Sequence, residues 1–172
     1  NQVSTGKAGY TTYQVAVQFG QSALDVYALF GESDSPLVIP GAYQVAAPFG
    51  TDIGPTNPAF FPVMADTQFD SFLTIGLDGP ALTTGALSTI GIDFTGWTET
   101  NGINSDDAAL FYMDPAHGAA VAMTEPVVFA QLTVATGTAF NGVISAQGKS
   151  LYGLDDWVEL AMQFTNAAGG GH

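Results

Sequence analysis

Residues 68–97 read QFDSFLTIGLDGPALTTGALSTIGIDFTGW and hold two near-copies of one phrase, Thr74-Ile75-Gly76-Leu77-Asp78 and Thr89-Ile90-Gly91-Ile92-Asp93. Phe69, Leu73, Ile75 and Leu77 fall on alternate positions running into the first copy, and Ile90, Ile92 and Phe94 do so from the second. A period of two puts these side chains on one face of an extended strand, the face that must be buried. Gly79-Pro80 ends the first run, because proline has no N–H for a sheet ladder and glycine accepts turn dihedrals. Gly76 and Gly91 fall in mid-strand on the opposite face, where glycine marks a bulge or a close approach by another backbone. The stretch therefore predicts two neighbouring strands of one antiparallel β-sandwich.

Working outward, the same alternation recurs. Tyr13, Val15, Val17 and Phe19 alternate, Gly20-Gln21-Ser22 turns the chain, and Leu24, Val26, Ala28 and Phe30 alternate again. These runs predict an opening hairpin. Leu37-Val38-Ile39 is a short apolar run. Tyr43–Gly50 (YQVAAPFG) echoes Tyr13–Gly20 (YQVAVQFG), with Pro48 ending the second copy early or placing it at a sheet edge. Residues 51–62 are irregular, with turns at Gly54-Pro55 and Asn57-Pro58 and with Phe60 and Phe61 expected to pack back on the sandwich. Leu110 and Tyr112 belong to a strand closed by Asp114-Pro115, and a loop follows from His117 to Pro126. Val128, Ala130, Leu132 and Val134 alternate, Gly137 turns, and 143–146 return. Val158, Leu160, Met162 and Phe164 alternate last; helical spacing also fits 154–164, and the strand reading is preferred. The whole predicts an all-β, single antiparallel β-sandwich, jelly-roll-like, of about nine or ten strands. Residues 1–168 are expected to be that one domain, and 169–172 (GGGH) a linker and tag remnant.

Charge bounds the function. Two lysines and no arginine stand against sixteen acids, for a net charge of −14. Nucleic-acid binding rests on neutralising phosphates with cationic side chains, so it is excluded. Attraction to an anionic membrane fails for the same reason. Only 10% of residues are charged while 47% are hydrophobic, so the surface must be largely Gly, Ser, Thr, Asn, Gln and Ala. Such a surface fits an extracellular or cell-surface module, or an assembly inside an organelle. There is no cysteine, which removes disulfides and thiolate chemistry. No apolar run reaches transmembrane length and no signal-peptide core opens the sequence, so it reads as an excised mature domain, with no membrane insertion.

Candidate chemistry is sparse. His117 is the only histidine outside the tail, and no Gly-x-Ser-x-Gly occurs, so a Ser–His–Asp hydrolase is the least favoured reading. The doublets Asp106-Asp107 and Asp155-Asp156 are adjacent in sequence and do not make facing glycosidase carboxylates by themselves. Calcium, which takes six to eight oxygens from loops, has better candidates. Asn101, Asn104, Asp106 and Asp107 concentrate oxygens in one loop, Asp114 ends the strand that follows, and Asp52 with Asn57 is a second cluster. Solvated loops are the alternative. Trp97 and Trp157, with Tyr112 and Tyr152, are candidates for a sugar-stacking platform, with core packing as the alternative. Lys7 and Lys149 raise a Lys–Asn crosslink, although Lys7 lies among Gly and Thr rather than in an apolar strand.

Several phrases carry a resemblance: VYALFG (26–31), AYQVAAPFGTDIGPTNPAFF (42–61), FDSFLTIGLDG (69–79), IGIDFTGWT (90–98) and AQLTVATG (130–137). They resemble β-sandwich modules that recur, often in tandem, in large predicted proteins of marine microalgae. The layout is loosely similar to cohesin-like secreted sandwiches. The resemblance implies a non-enzymatic building block of a surface, matrix or shell, and it carries over no catalytic or binding residue. The leading expectation is a structural or interaction module whose partners are copies of itself or other modules. A calcium-dependent carbohydrate-binding module, with glycans as partners, is the alternative.

Overall fold

Strands with apolar residues at every second position can bury that face only against another sheet, and the chain does so. The computed structural model describes residues 1–81, 86–120, 125–153 and 155–167. Its strands are β1 (Gln2–Ser4), β2 (Tyr10–Val17), β3 (Asp25–Val26), β4 (Ala28–Gly31), β5 (Leu37–Ile39), β6 (Phe72–Leu73), β7 (Leu87–Ile90), β8 (Ile103–Ser105), β9 (Ala108–Tyr112), β10 (Ala119–Ala120), β11 (Val127–Ala135), β12 (Asn141–Lys149) and β13 (Asp156–Thr165). A four-stranded sheet has the order β1-β2-β11-β6, and β3 pairs with β10. In the seven-stranded sheet, β7-β9-β4-β12 is continued by β5-β8, and β13 pairs with β12. Since β13 follows β12 along its whole length, β4 and β5 share the other edge of β12. The pairings within the sheets are antiparallel, and the fold is an all-β sandwich. The strands exceed nine or ten because β3, β6 and β10 are two-residue pieces.

One core joins the sheets. Phe129, Leu132 and Val134 of β11 cluster with Leu29, Leu110, Ile144 and Ala146 of the larger sheet, and with Ile75 and Trp97 from connecting segments. Three 3-10 turns complete the frame. Two of them, Pro58–Phe60 and Pro115–His117, start alike: Asn57 and Asp114 each accept the amide two residues on, with proline between.

The two repeated phrases are not neighbours. Leu73, just before the first copy, pairs with Ala130 in the small sheet, whereas Ile90 in the second pairs with Ala109 in the large one. Gly76 and Gly91 have φ of 69° and 70°, left-handed values that end each strand. The copies thus share a turn and not a strand. Ile75 is fully buried while Ile90 is 66% exposed. The close approach expected at the glycines is real at Gly91, where a Cβ would collide with the Asp107 carbonyl.

The opening hairpin is also corrected: β2 lies in the small sheet and β4 in the large one, so the chain crosses the sandwich between them. β11 and β12 are split the same way. The parity of β4 is reversed, with Leu29 buried and Ala28 and Phe30 half-buried on the other face. The second copy of the Tyr13–Gly20 phrase forms no strand. Phe49 and Gly50 donate to the Ala46 carbonyl in a turn, and the Asp70 carboxylate accepts the amides of Val45 (2.8 Å) and Thr51 (2.7 Å). Phe60 packs on Phe49, ring centroids 5.3 Å apart, rather than on the sandwich.

Residues 156–165 form β13, as the alternation predicts, but a register shift between Ile144 and Ala146 breaks its parity. Trp157 faces inward before the bulge, and Met162 and Phe164 after it, leaving Val158 and Leu160 51% and 48% exposed. Leu154, the expected tail 169–172 and part of the loop after His117 lie outside the described residues.

Candidate functional site

The register of the large sheet defines its outer face. Ile90 lies beside Ala109, Ala109 beside Phe30, and Phe30 beside Ser145. The next row outward runs Ser88, Phe111, Ala28, Gln147, Val158. A third runs Asn104, Val38, Val143, Gln163. None of these side chains is charged, on a chain of net charge −14. Phe30, Phe111, Val38 and Val143 are half-buried, and Ile90 is 66% exposed. Charge collects at the ends of the strands instead: Glu32 and Asp34 after β4, Asp106 and Asp107 after β8, and Lys149 facing Asp156, with Nζ 3.5 Å from Oδ1. On the small sheet the outward side chains are engaged by the segment before β6, where Gln131 Nε2 donates to the Gln68 and Asp70 carbonyls. The Tyr43 amide reaches the Thr133 carbonyl, Thr56 Oγ1 donates to the Thr67 carbonyl, and Thr12 and Thr133 share a buried 2.7 Å hydrogen bond.

At the margin of the large sheet, the ten residues of β13 pair, among the described residues, with β12 alone, so their other edge is open there. Between this strand and β2 the sandwich gapes into a groove of about 630 Å³, lined by Tyr13, Val15, Phe129, Phe140, Met162 and Phe164 among others. Among the described residues, no carboxylate, imidazole or lysine side chain lines it. A second groove, of about 500 Å³, has Asp78 and Glu125 among its lining residues.

The candidate calcium residues are dispersed. Asn101 Nδ2 donates to the Gly96 carbonyl, in a turn where Asp93 Oδ1 accepts from Thr95 Oγ1 and the Gly96 amide. These bonds hold the Asp93 carboxyl below its usual range. Asn104 sits within β8, on the outer sheet face. Asp106 and Asp107 form the turn into β9, and Asp114 lies beyond its far end. At about 3.3 Å per residue, five strand residues separate them by roughly 16 Å, far beyond one coordination sphere. Asp114 is already engaged by the Ala116 amide and by His117 Nδ1 at 2.7 Å, which lower its pKa. Asn57 is likewise used as a cap, and Asp52 is raised by burial. Among the described residues, no three Asp, Glu or His side chains gather as a ligand set.

The aromatic platform is not formed either. Trp97 is 2% exposed and its Nε1 donates to the Pro40 carbonyl at 2.9 Å. Trp157 covers Gly148, packs on Phe19 at 5.0 Å and donates to the Asp25 carbonyl. Tyr112 is buried with its hydroxyl on the Ile75 carbonyl, whereas Tyr152 is 80% exposed. Lys7 Nζ lies 4.6 Å from the Tyr43 ring centroid and 2.8 Å from Asp66 Oδ2. Lys149 caps the other end of the sheet.

Sequence reasoning missed the uncharged outer face, although its signal was present. An antiparallel strand with one solvated face should alternate apolar with polar residues. The strands ALFG, LVI and AALFY carry hardly a polar side chain at either parity. Such strands are either covered on both sides or present an apolar outer face.

A scan of protein-family models, a search of curated proteins and a search of solved structures each found no match to this chain.

Proposed function

We propose that the domain is a non-enzymatic structural and interaction module, assembling with copies of itself or with partner modules in a surface, matrix or shell. The observation that carries this reading is the open edge of β13, ten residues long. An unpaired edge offers a row of backbone donors and acceptors to any extended segment that approaches it, and most proteins blunt such edges. Here the strand offers Val158 and Leu160 beside that edge, with Glu159 the one charge between Trp157 and Thr165.

The chemistry around it points the same way. His117, the one described histidine, stands on an exposed turn bonded to Asp114, with no serine in its hydrogen bonds. Among the described residues, the larger groove is lined by no carboxylate or imidazole. With a charge of −14, phosphate-bearing partners are repelled. No helix among the described residues is long and apolar enough to cross a membrane.

Sedimentation velocity over a concentration series, paired with a pull-down from the native source, tests the reading. Concentration-dependent association or capture of a defined partner module is expected. A strictly monomeric protein with no partner would overturn it.

A further inference from the structure

Resting on that reading, we infer that the outer face of the seven-stranded sheet is the contact between two copies of this chain, packed face to face about a twofold axis. Electrostatics selects the face. Two molecules that each carry −14 repel wherever their carboxylates meet. The three central rows of this face hold no charged residue, so apposition there leaves the acids at a solvated rim, as far apart as the geometry allows. A cationic partner would seek that acidic rim, and an anionic lipid surface would be driven from it. An uncharged face that sets Phe30, Val38, Ile90, Phe111, Val143 and Val158 among neutral polar side chains suits another like it, and this chain displays one.

Size agrees. β12 has nine residues, and five strands from β7 to β13 lie side by side. At about 3.3 Å per residue and about 4.8 Å per strand, the face measures roughly 30 by 20–24 Å, or about 600–700 Å² in projection. A standard stable interface buries about 800 Å² per partner.

Shape agrees too. Phe30 stands beside Ala109, and Phe111 beside Ala28, so two aromatic ridges alternate with two alanine recesses. A twofold operation sets the ridges of one copy into the recesses of the other, which is what a self-complementary contact needs. The two sheets would then pack about 10 Å apart, as sandwich layers do.

The experiment measures the dimer dissociation constant by sedimentation equilibrium for the wild-type chain and for Asn104→Asp with Gln147→Glu. These near-isosteric changes put one carboxylate on the central strand β12 and one on the flanking strand β8, both on the outer face and away from the core. Circular dichroism and the melting temperature of the monomer are expected to stay unchanged, while association weakens about tenfold or more. Mixing that variant with Asn104→Lys and Gln147→Lys should restore association as a heterodimer. Raising sodium chloride should tighten the wild-type dimer by screening its rim. Association that ignores both pairs of substitutions would overturn the face-to-face contact and leave the module reading standing, as would capture of a partner by a chain that does not self-associate. A wild-type chain that neither self-associates nor captures a partner would overturn both.

Discussion

Ser145 Oγ accepts the amide of Ala161 at 3.0 Å across the β12–β13 pair, and Ala161 is the one described non-glycine residue at positive φ (54°). The extra residue in β13 leaves one amide out of the ladder, and the fully buried Ser145 hydroxyl receives it. The bulge switches the parity of the strand, so the residues on either side of it reach the same core. A left-handed conformation costs an L-residue about 1–2 kcal/mol, partly offset in glycine by its greater unfolded entropy. Ala161→Gly is therefore expected to stabilise the chain by up to about 1 kcal/mol. Ser145→Ala should destabilise it by about 1–3 kcal/mol by orphaning that amide. Urea midpoints for the two variants check both signs.

Asp70 predicts an unusual pH profile. Its side chain is fully buried. Burial pushes the carboxyl up to about 7 from an ordinary 3.8, against the amides of Val45 and Thr51, which favour the ionised form; the nearby Asp52 charge adds to the rise. A folded-state pKa above the unfolded one means that the native state holds its proton more tightly. The stability it contributes is full below pH 3.8 and is lost as pH rises through about 7. Thermal stability should fall by a few kcal/mol between mildly acid and mildly alkaline solution. Asp70→Asn should flatten that slope, while losing one of the two amide contacts. A wild-type profile that rises with pH across this range would contradict the buried carboxyl.

Three isoleucines separate sequence pattern from structure. Ile75→Ala removes a fully buried side chain and is expected to cost about 2–5 kcal/mol. Ile90→Ala should stay within about 0.5 kcal/mol in the monomer, since Ile90 is 66% exposed. Ile92, half-buried against the core, should fall between them. Equal losses at Ile75 and Ile90 would restore the buried face that alternation alone predicts.

Cations provide a fourth test. Folding draws sixteen acids together with two lysines, so monovalent salt should raise the melting temperature gradually by screening. Asp106 and Asp107 are separated from Asp114 by the length of β9, so sodium chloride and calcium chloride at matched ionic strength should give superimposable melting curves. A calcium-specific gain at low concentration, lost in Asp106→Asn with Asp107→Asn, would instead establish a site at that turn.

Much of the fold was legible in local pattern. β2, β11 and β13 stand where alternation put them, and the turns at Gly137 and Asp114-Pro115 fall where glycine and proline chemistry requires. The proposed interface was less legible. Periodicity reports that a strand has two faces, but where both carry apolar residues, as in AALFY, it cannot say which is inside. The core took Leu110 and Tyr112, and Phe111 was left on the outer side.

The sequence by itself determined the class of object: an all-β chain with an acidic surface. Alternation, turn residues and net charge are properties of neighbouring residues or of simple sums. Only the tertiary structure decided which sheet each strand joined, because pairing depends on partners far away in sequence, as when Ala130 meets Leu73 while Ala109 meets Ile90. It also decided that Trp97 is buried, that Asp107 and Asp114 stand at opposite ends of one strand, and that the uncharged residues of seven strands share a face. Proximity in space arises from packing the whole chain at once, and no local window of the sequence contains it.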